Sequence, residues 1–145
     1  MTEVIKFATV DDGDAEAKIF SRIFRGHGAA WQHYGEYDAA VSAIDAGAFD
    51  DAELILLDIQ LHEDDEAGYR LVKAIRQRGI PGTVVMLSVS EMDEMICKCF
   101  RQGASAYIVK PLSDKDLEKV VNHLKSLGPH ARKCPTTPSR QPASQ

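Results

Sequence analysis

The stretch that decides the fold is Leu54-Ile55-Leu56-Leu57-Asp58, four apolar residues closed by one acid. Such a continuous apolar run is typical of a strand buried on both faces of a parallel sheet. Two other strand-like segments end in charged residues: Asp11-Asp12 follow residues 4–10, and Lys110-Pro111 follow residues 105–109. Three carboxylates and a lysine at strand ends predict one composite site for a divalent cation and a phosphoryl group.

Outward from this stretch, short apolar runs alternate with segments of helical periodicity. Strands are predicted at 4–10, 29–34, 54–57, 83–87 and 105–109. Helices are predicted from Asp14 as N-cap to Gly26, from Tyr37 to Gly47, through Leu71 to Gly79, through the apolar stripe of Met92 and Phe100 and ending before Gly103, and from Ser113 or Asp114 through Leu127. Because parallel strands need crossover connections, five β-then-α units predict a doubly wound, five-stranded parallel sheet flanked by five helices.

Composition limits the class of protein. The 145 residues suffice for one domain, predicted at 1–127, and the Pro- and Ser-rich segment 128–145 is typical of a disordered tail or a linker. A net charge of −5 argues against nucleic-acid binding. No apolar stretch approaches a membrane span and no signal peptide is evident, so we predict a cytoplasmic protein without membrane contact. The three cysteines form no Cys/His cluster, which argues against a structural zinc site.

Ligands of doubly wound sheets bind beyond the carboxyl ends of the strands. Asp11-Asp12, Asp58, Ser88 and Lys110 all fall at such ends. In this order they resemble the receiver domain of two-component response regulators, which has a flavodoxin-like fold, and the resemblance spans about residues 4–127. Ser88 and Lys110 lie 30 and 52 residues after Asp58, and these spacings match the family.

The resemblance implies a role for each matching residue. Asp58 would be the phosphoacceptor, Lys110 would neutralise a phosphoryl oxygen, and Ser88 would hydrogen-bond another. Mg²⁺ would be the cofactor, bound directly by Asp12 and Asp58. The remaining implied metal contacts are those of Asp11 through water and of the backbone carbonyl of Gln60.

The resemblance also implies a conformational switch. Tyr107 matches the switch aromatic of the family, whose ring would turn inward on phosphorylation and reshape the face formed by the fourth helix, fifth strand and fifth helix. A cis peptide bond is expected before Pro111. The output of such a switch would be binding of a downstream protein.

The function predicted from this resemblance is that of a single-domain response regulator, a signalling protein and not an enzyme. A histidine kinase or histidine phosphotransfer protein would be its phosphoryl donor, and a homodimer is possible. Two alternatives stay open: a receiver fragment of a hybrid histidine kinase, and a non-phosphorylated pseudo-receiver that serves as an interaction module. A flavin-binding protein of the same fold is disfavoured, because Asp11-Asp12-Gly13-Asp14 has the wrong charge to hold a phosphate.

The sequence departs from the family pattern beside Asp58. Gly68 lies ten positions after Asp58 where the family commonly has eight, so two residues are inserted and the third helix or the next connection should be shorter. The loop carries four acids, Glu63 to Glu66, which we interpret as a solvated loop near a helix N-terminus. Val89 replaces the usual Gly or Ala and should narrow access to the phosphoryl group. Of the five histidines, His62 alone lies near the predicted site.

Overall fold

The structure, a computed structural model, describes residues 5–62, 64–89 and 92–126. The predicted first residue of strand one, Val4, the predicted last residue of helix five, Leu127, and the predicted tail 128–145 lie outside these residues. Within them the chain alternates five strands and five helices. They are β1 (Lys6–Val10), α1 (Asp14–Gly26), β2 (Ala30–Tyr34), α2 (Tyr37–Asp45), β3 (Leu54–Asp58), α3 (Ala67–Gln77), β4 (Thr83–Ser88), α4 (Asp93–Gln102), β5 (Ala106–Val109) and α5 (Asp114–Ser126).

The strands form one parallel sheet in the order β2-β1-β3-β4-β5, which confirms the predicted doubly wound architecture. All five residues of β3 are buried, as its continuous apolar run predicts for a central strand. Two apolar cores lie on opposite faces of the sheet. Leu54 and Leu56 join the core beneath α1 and α5, whereas Ile55 and Leu57 join the core beneath α2, α3 and α4.

The predicted N-cap of the first helix was wrong by one residue. Gly13 is the N-cap of α1 and Asp14 is its first helical residue; the Gly13 N–H donates to Asp11 Oδ1 at 2.7 Å, so Asp11 holds this turn. Met92, predicted as a member of the apolar stripe of the fourth helix, is the N-cap of α4. The predicted Ser113 cap is confirmed, because its hydroxyl accepts a hydrogen bond from the Asp116 N–H at 3.1 Å.

The start of α3 is pressed against the end of β3. A methyl group built on Gly68 would lie 2.5 Å from Ile59 Cα and 2.6 Å from the Asp58 carbonyl oxygen. The Gly68 N–H donates to the Ile59 carbonyl at 2.8 Å. Only glycine lets the two backbones approach this closely, so Gly68 fixes where α3 begins relative to Asp58. We expected the third helix or the connection after it to be shorter, to offset the two residues inserted after Asp58, and this stays a prediction.

No helix within the described ranges is long and apolar enough to cross a bilayer. The predicted cytoplasmic location stays a prediction.

We expect Gly68→Ala to destabilise the protein by about 1–3 kcal/mol, because the atoms that the new methyl group meets are rigid backbone. Urea unfolding at neutral pH measures this difference. Gly26→Ala is the matched control: a methyl group there meets nothing within 4 Å, so its midpoint should stay at or slightly above that of wild type. Equal stability of the two variants would contradict the close approach.

Candidate functional site

The carboxyl ends of β1, β3, β4 and β5 surround a pocket of about 190 Å³. This is the edge at which ligands bind in doubly wound sheets. Six of its lining residues come from strand ends or from the residues just beyond them, and the seventh, His62, comes from the loop after β3. The lining residues are Asp12, Asp58, Gln60, His62, Ser88, Val89 and Lys110.

Three carboxylates meet at the sheet edge where this pocket lies, and two of them line it. Oxygen atoms of Asp11, Asp12 and Asp58 all lie within 4.8 Å of one another. Asp11 is 1% exposed and Asp58 is 5% exposed, although both carry a charge at neutral pH when unperturbed. Asp58 Oδ1 accepts a hydrogen bond from the Gln60 N–H at 3.2 Å, which orients the carboxylate at the end of its strand.

Lys110 places its ammonium between the two buried acids. Its Nζ lies 3.0 Å from Asp58 Oδ2 and 3.1 Å from Asp11 Oδ2. The peptide bond to Pro111 is cis, as the resemblance implied. The backbone N–H of Lys110 donates to the Ser88 carbonyl at 2.7 Å, so the lysine and the serine are fixed to each other through the main chain.

One positive charge, that of Lys110, lies beside the two buried carboxylates of Asp11 and Asp58. The pKa values of these three groups reflect the imbalance. Burial, and then the charge of Asp11, raise the pKa of Asp58 to about 6 against the opposing effect of Lys110. Burial also raises the pKa of Asp11. Burial disfavours the ammonium form of Lys110, but Asp11 and Asp58 outweigh it and raise the pKa of the lysine. The site therefore lacks positive charge.

The donor atoms fit a hard divalent cation. Asp11 Oδ2 is buried without a hydrogen-bond partner among the described residues, and it lies 3.1 Å from the Lys110 ammonium, which donates to Asp58. A buried acceptor left without a donor is costly unless another partner supplies the interaction. Carboxylate oxygens from Asp11, Asp12 and Asp58 are the ligand type that Mg²⁺ prefers, and a dication would supply the missing charge.

Ser88 and Tyr107 occupy different places relative to the pocket. Ser88 is 6% exposed and ends β4 at the pocket wall. Tyr107 lies in β5 opposite Met86, two residue pairs before the Ser88–Val109 pair, and its half-buried ring packs against the core beneath α3 and α4. The ring is therefore placed between the β4–β5 ladder and the helices of one face.

His62 is the site residue whose contact the sequence did not reveal. Its backbone N–H donates to Asp12 Oδ2 at 2.5 Å, and its Nδ1 lies 3.5 Å from the same oxygen. Its φ of 55° is the one positive value among the non-glycine residues described. The sequence indicated only that His62 lies in the loop after Asp58. That position does not identify Asp12, 50 residues away, as its partner.

The acidic loop is exposed, as expected of a charged segment, but it is not merely solvated. Asp64 pairs with Arg70 of α3 at 2.7 Å, and Glu66, the N-cap of α3, pairs with Lys98 of α4 at 2.6 Å. Glu63 lies outside the described residues. These pairs connect the segment after Asp58 to two helices of the same face.

Comparison with known proteins gives the same assignment as the site. The family described as the response regulator receiver domain matches residues 7–122. The chain belongs to this family. This receiver domain superposes on the BeF3-activated DrrB receiver domain with a TM-score of 0.73, at 22% identity, covering 86% of this chain and all of that one.

Two curated relatives indicate the range of proteins that contain similar domains. The probable methanogenesis regulatory protein FilR2 of Methanothrix harundinacea is 29% identical over 80% of this chain and 78% of its own length. Hybrid signal transduction histidine kinase L of Dictyostelium discoideum is 24% identical over 86% of this chain but only 8% of its own length. The receiver domain spans about half or less of several curated relatives that it matches.

The raised pKa of Asp58 predicts a pH-dependent gain in stability from Asp58→Asn. The protonated carboxyl favours folding below its ordinary pKa of 3.8, and this contribution is lost as pH rises through about 6. In a chelating buffer Asp58→Asn should therefore be more stable than wild type by about 1–2 kcal/mol at pH 7.5, and the gain should disappear towards pH 4. Thermal unfolding across this range measures it.

Asp50→Asn is the control of opposite sign. A hydrogen bond from Arg78 lowers the pKa of Asp50, so this carboxylate favours folding above its ordinary pKa. Its substitution should destabilise the protein at pH 7.5, and the loss should shrink as pH falls. A gain for Asp58→Asn that is the same at pH 4 and pH 7.5 would contradict the assigned cause.

Proposed function

We propose that this receiver domain acts as a single-domain response regulator, phosphorylated on Asp58 by a histidine kinase or a histidine phosphotransfer protein. The observation that carries the proposal is the cluster of Asp11, Asp12 and Asp58 beside the pocket that Lys110 and Ser88 help to line. The partners are inferred from membership in the family. The role is that of a switch and not of an enzyme.

In the proposed reaction a carboxylate oxygen of Asp58 attacks the phosphorus of a phosphohistidine. The new O–P bond replaces the N–P bond, and the imidazole of the donor leaves with the electron pair. Lys110, 3.0 Å from Asp58 Oδ2, would neutralise a phosphoryl oxygen as a point charge, and Ser88 would donate to another. Mg²⁺, held by Asp11, Asp12, Asp58 and the Gln60 carbonyl, would supply charge compensation for the remaining phosphoryl oxygens.

Phosphorylation would act on a surface through the β4–β5 ladder. An added phosphoryl group attracts the Ser88 hydroxyl and the Lys110 ammonium, which are joined by a 2.7 Å main-chain hydrogen bond. Movement of Ser88 and Lys110 would alter the surroundings of Tyr107, which lies two residue pairs before Ser88–Val109 on the same two strands. The resulting population shift would change the face formed by α4, β5 and α5, to which a downstream protein or a second copy would bind.

A second candidate is a receiver domain that functions within a hybrid histidine kinase. The similarity to hybrid kinase L over 86% of this chain supports it. The chemistry at Asp58 would be the same, and only the source of the phosphoryl group and its next acceptor would differ. Mapping the full-length gene product distinguishes the two. The pseudo-receiver alternative is disfavoured because the three carboxylates lie within 4.8 Å of one another and Lys110 pairs with two of them.

Phosphotransfer from a labelled histidine phosphotransfer protein with Mg²⁺ tests the proposal. Wild type should acquire an alkali-labile acyl phosphate, and Asp58→Asn should acquire none. Asp64→Asn is the matched control, since Asp64 lies on the same loop but pairs with Arg70; it should be labelled like wild type. Labelling of Asp58→Asn at the wild-type level, or no labelling of wild type by any donor or by acetyl phosphate, would contradict the proposal.

Val89 should slow hydrolysis of the acyl phosphate. It lines the pocket beside Ser88 and is 74% exposed, so its isopropyl group is placed to obstruct the approach of water from solvent. Val89→Ala should therefore lose its phosphoryl group several-fold faster than wild type, as measured by decay of label after removal of the donor. Val120→Ala on α5, outside the pocket lining, provides the control. An unchanged decay rate for Val89→Ala would contradict the steric role.

A further inference from the structure

The loop after β3 places His62 in a conformation that histidine rarely adopts. Left-handed φ values are uncommon outside glycine and carry a local free-energy cost, although histidine, asparagine and aspartate tolerate them better than most residues. In this conformation the backbone N–H of His62 donates a hydrogen bond to Asp12 Oδ2 at 2.5 Å. The loop therefore places His62 against the carboxylate of Asp12, which belongs to the proposed metal site.

The imidazole of His62 lies beside Asp12, one of the proposed metal ligands. Its Nδ1 is 3.5 Å from Asp12 Oδ2, and His62 and Asp12 line the same pocket. Neighbouring ligands of a cation with bonds of about 2.1 Å are about 3.4 Å apart in the tetrahedral geometry typical of Zn²⁺, so a small ring movement is enough to make these two atoms co-ligands. The side chain is 63% exposed, which leaves the ring free to make that movement.

From this placement we propose that His62 adds a nitrogen donor to the site, so that it takes a late first-row cation such as Zn²⁺ through His62 and Asp12. Mg²⁺ takes oxygen ligands, whereas imidazole suits Zn²⁺, Ni²⁺ and Cu²⁺. The proposal rests on the metal site of the proposed function and extends it from one class of cation to two. Asp12 is a ligand in both cases, so Mg²⁺ and Zn²⁺ compete.

A purely structural role for His62 leads to a different outcome. If His62 only holds the loop in place, the contact that matters is the hydrogen bond from its backbone N–H. Removal of the ring then changes the affinity for neither Zn²⁺ nor Mg²⁺. His62→Gly separates the two roles, because glycine accepts the positive φ and keeps the N–H bond to Asp12 while removing the ring. His123→Ala is the matched control, since His123 is an exposed histidine on α5.

The experiment measures the affinity of the metal-free full chain for Zn²⁺ and for Mg²⁺ by titration calorimetry. His62→Gly should weaken Zn²⁺ binding by at least about tenfold and change Mg²⁺ binding by less than about twofold. His123→Ala should leave both affinities unchanged. Added Mg²⁺ should weaken the binding of Zn²⁺ to wild type. Equal losses for the two cations in His62→Gly, or an unchanged Zn²⁺ affinity, overturn the proposal.

A spectroscopic measurement tests the ligand directly. In ¹⁵N-labelled wild type, stoichiometric Zn²⁺ should shift one imidazole resonance, and His62→Gly should lack that resonance. If no shifted resonance disappears in this variant, His62 is not a ligand. These readouts need no phosphoryl donor, so they stand apart from phosphotransfer. Labelling of Asp58 with unchanged Zn²⁺ binding in His62→Gly overturns this inference alone, whereas selective Zn²⁺ loss without labelling overturns the proposed function alone.

Discussion

Two carboxylates buried beside one lysine form the constraint on which the rest of the structure depends. Asp11 and Asp58 end adjacent parallel strands, and the Lys110 ammonium lies 3.0–3.1 Å from an oxygen of each. Burial of like charges is unfavourable, and it raises the pKa of Asp58 to about 6. This arrangement leaves the site short of positive charge, which a bound divalent cation would supply.

The sheet and its connections keep these charges together. Lys110 is held by its main-chain hydrogen bond to Ser88, and Asp11 by the turn to Gly13. Gly68 lets the backbone of α3 approach the carbonyl of Asp58, which sets the length available to the intervening loop. The site is therefore assembled from main-chain geometry first, and the side chains occupy places that the strand ends define.

The lengthened loop contributes more than negative charge. Through Glu66 it contacts Lys98 of α4, whose ammonium lies 4.3 Å from the ring centroid of Tyr69. Exposed ion pairs of this kind contribute little to stability. Their importance is geometric, because they connect the segment after Asp58 to the helix whose face is proposed to change on phosphorylation.

Local pattern in the sequence determined the sheet, the order of its elements and the residues at the strand ends. The run Leu54–Leu57 and the helical spacing of apolar residues report burial directly, so β3 and the flanking helices could be predicted, with errors such as Asp14 for Gly13 at a cap. Only the tertiary structure decided the contact of His62 with Asp12 and the pairing of Glu66 with Lys98. Those contacts join residues 50 and 32 positions apart across irregular backbone, for which the sequence has no periodic signal.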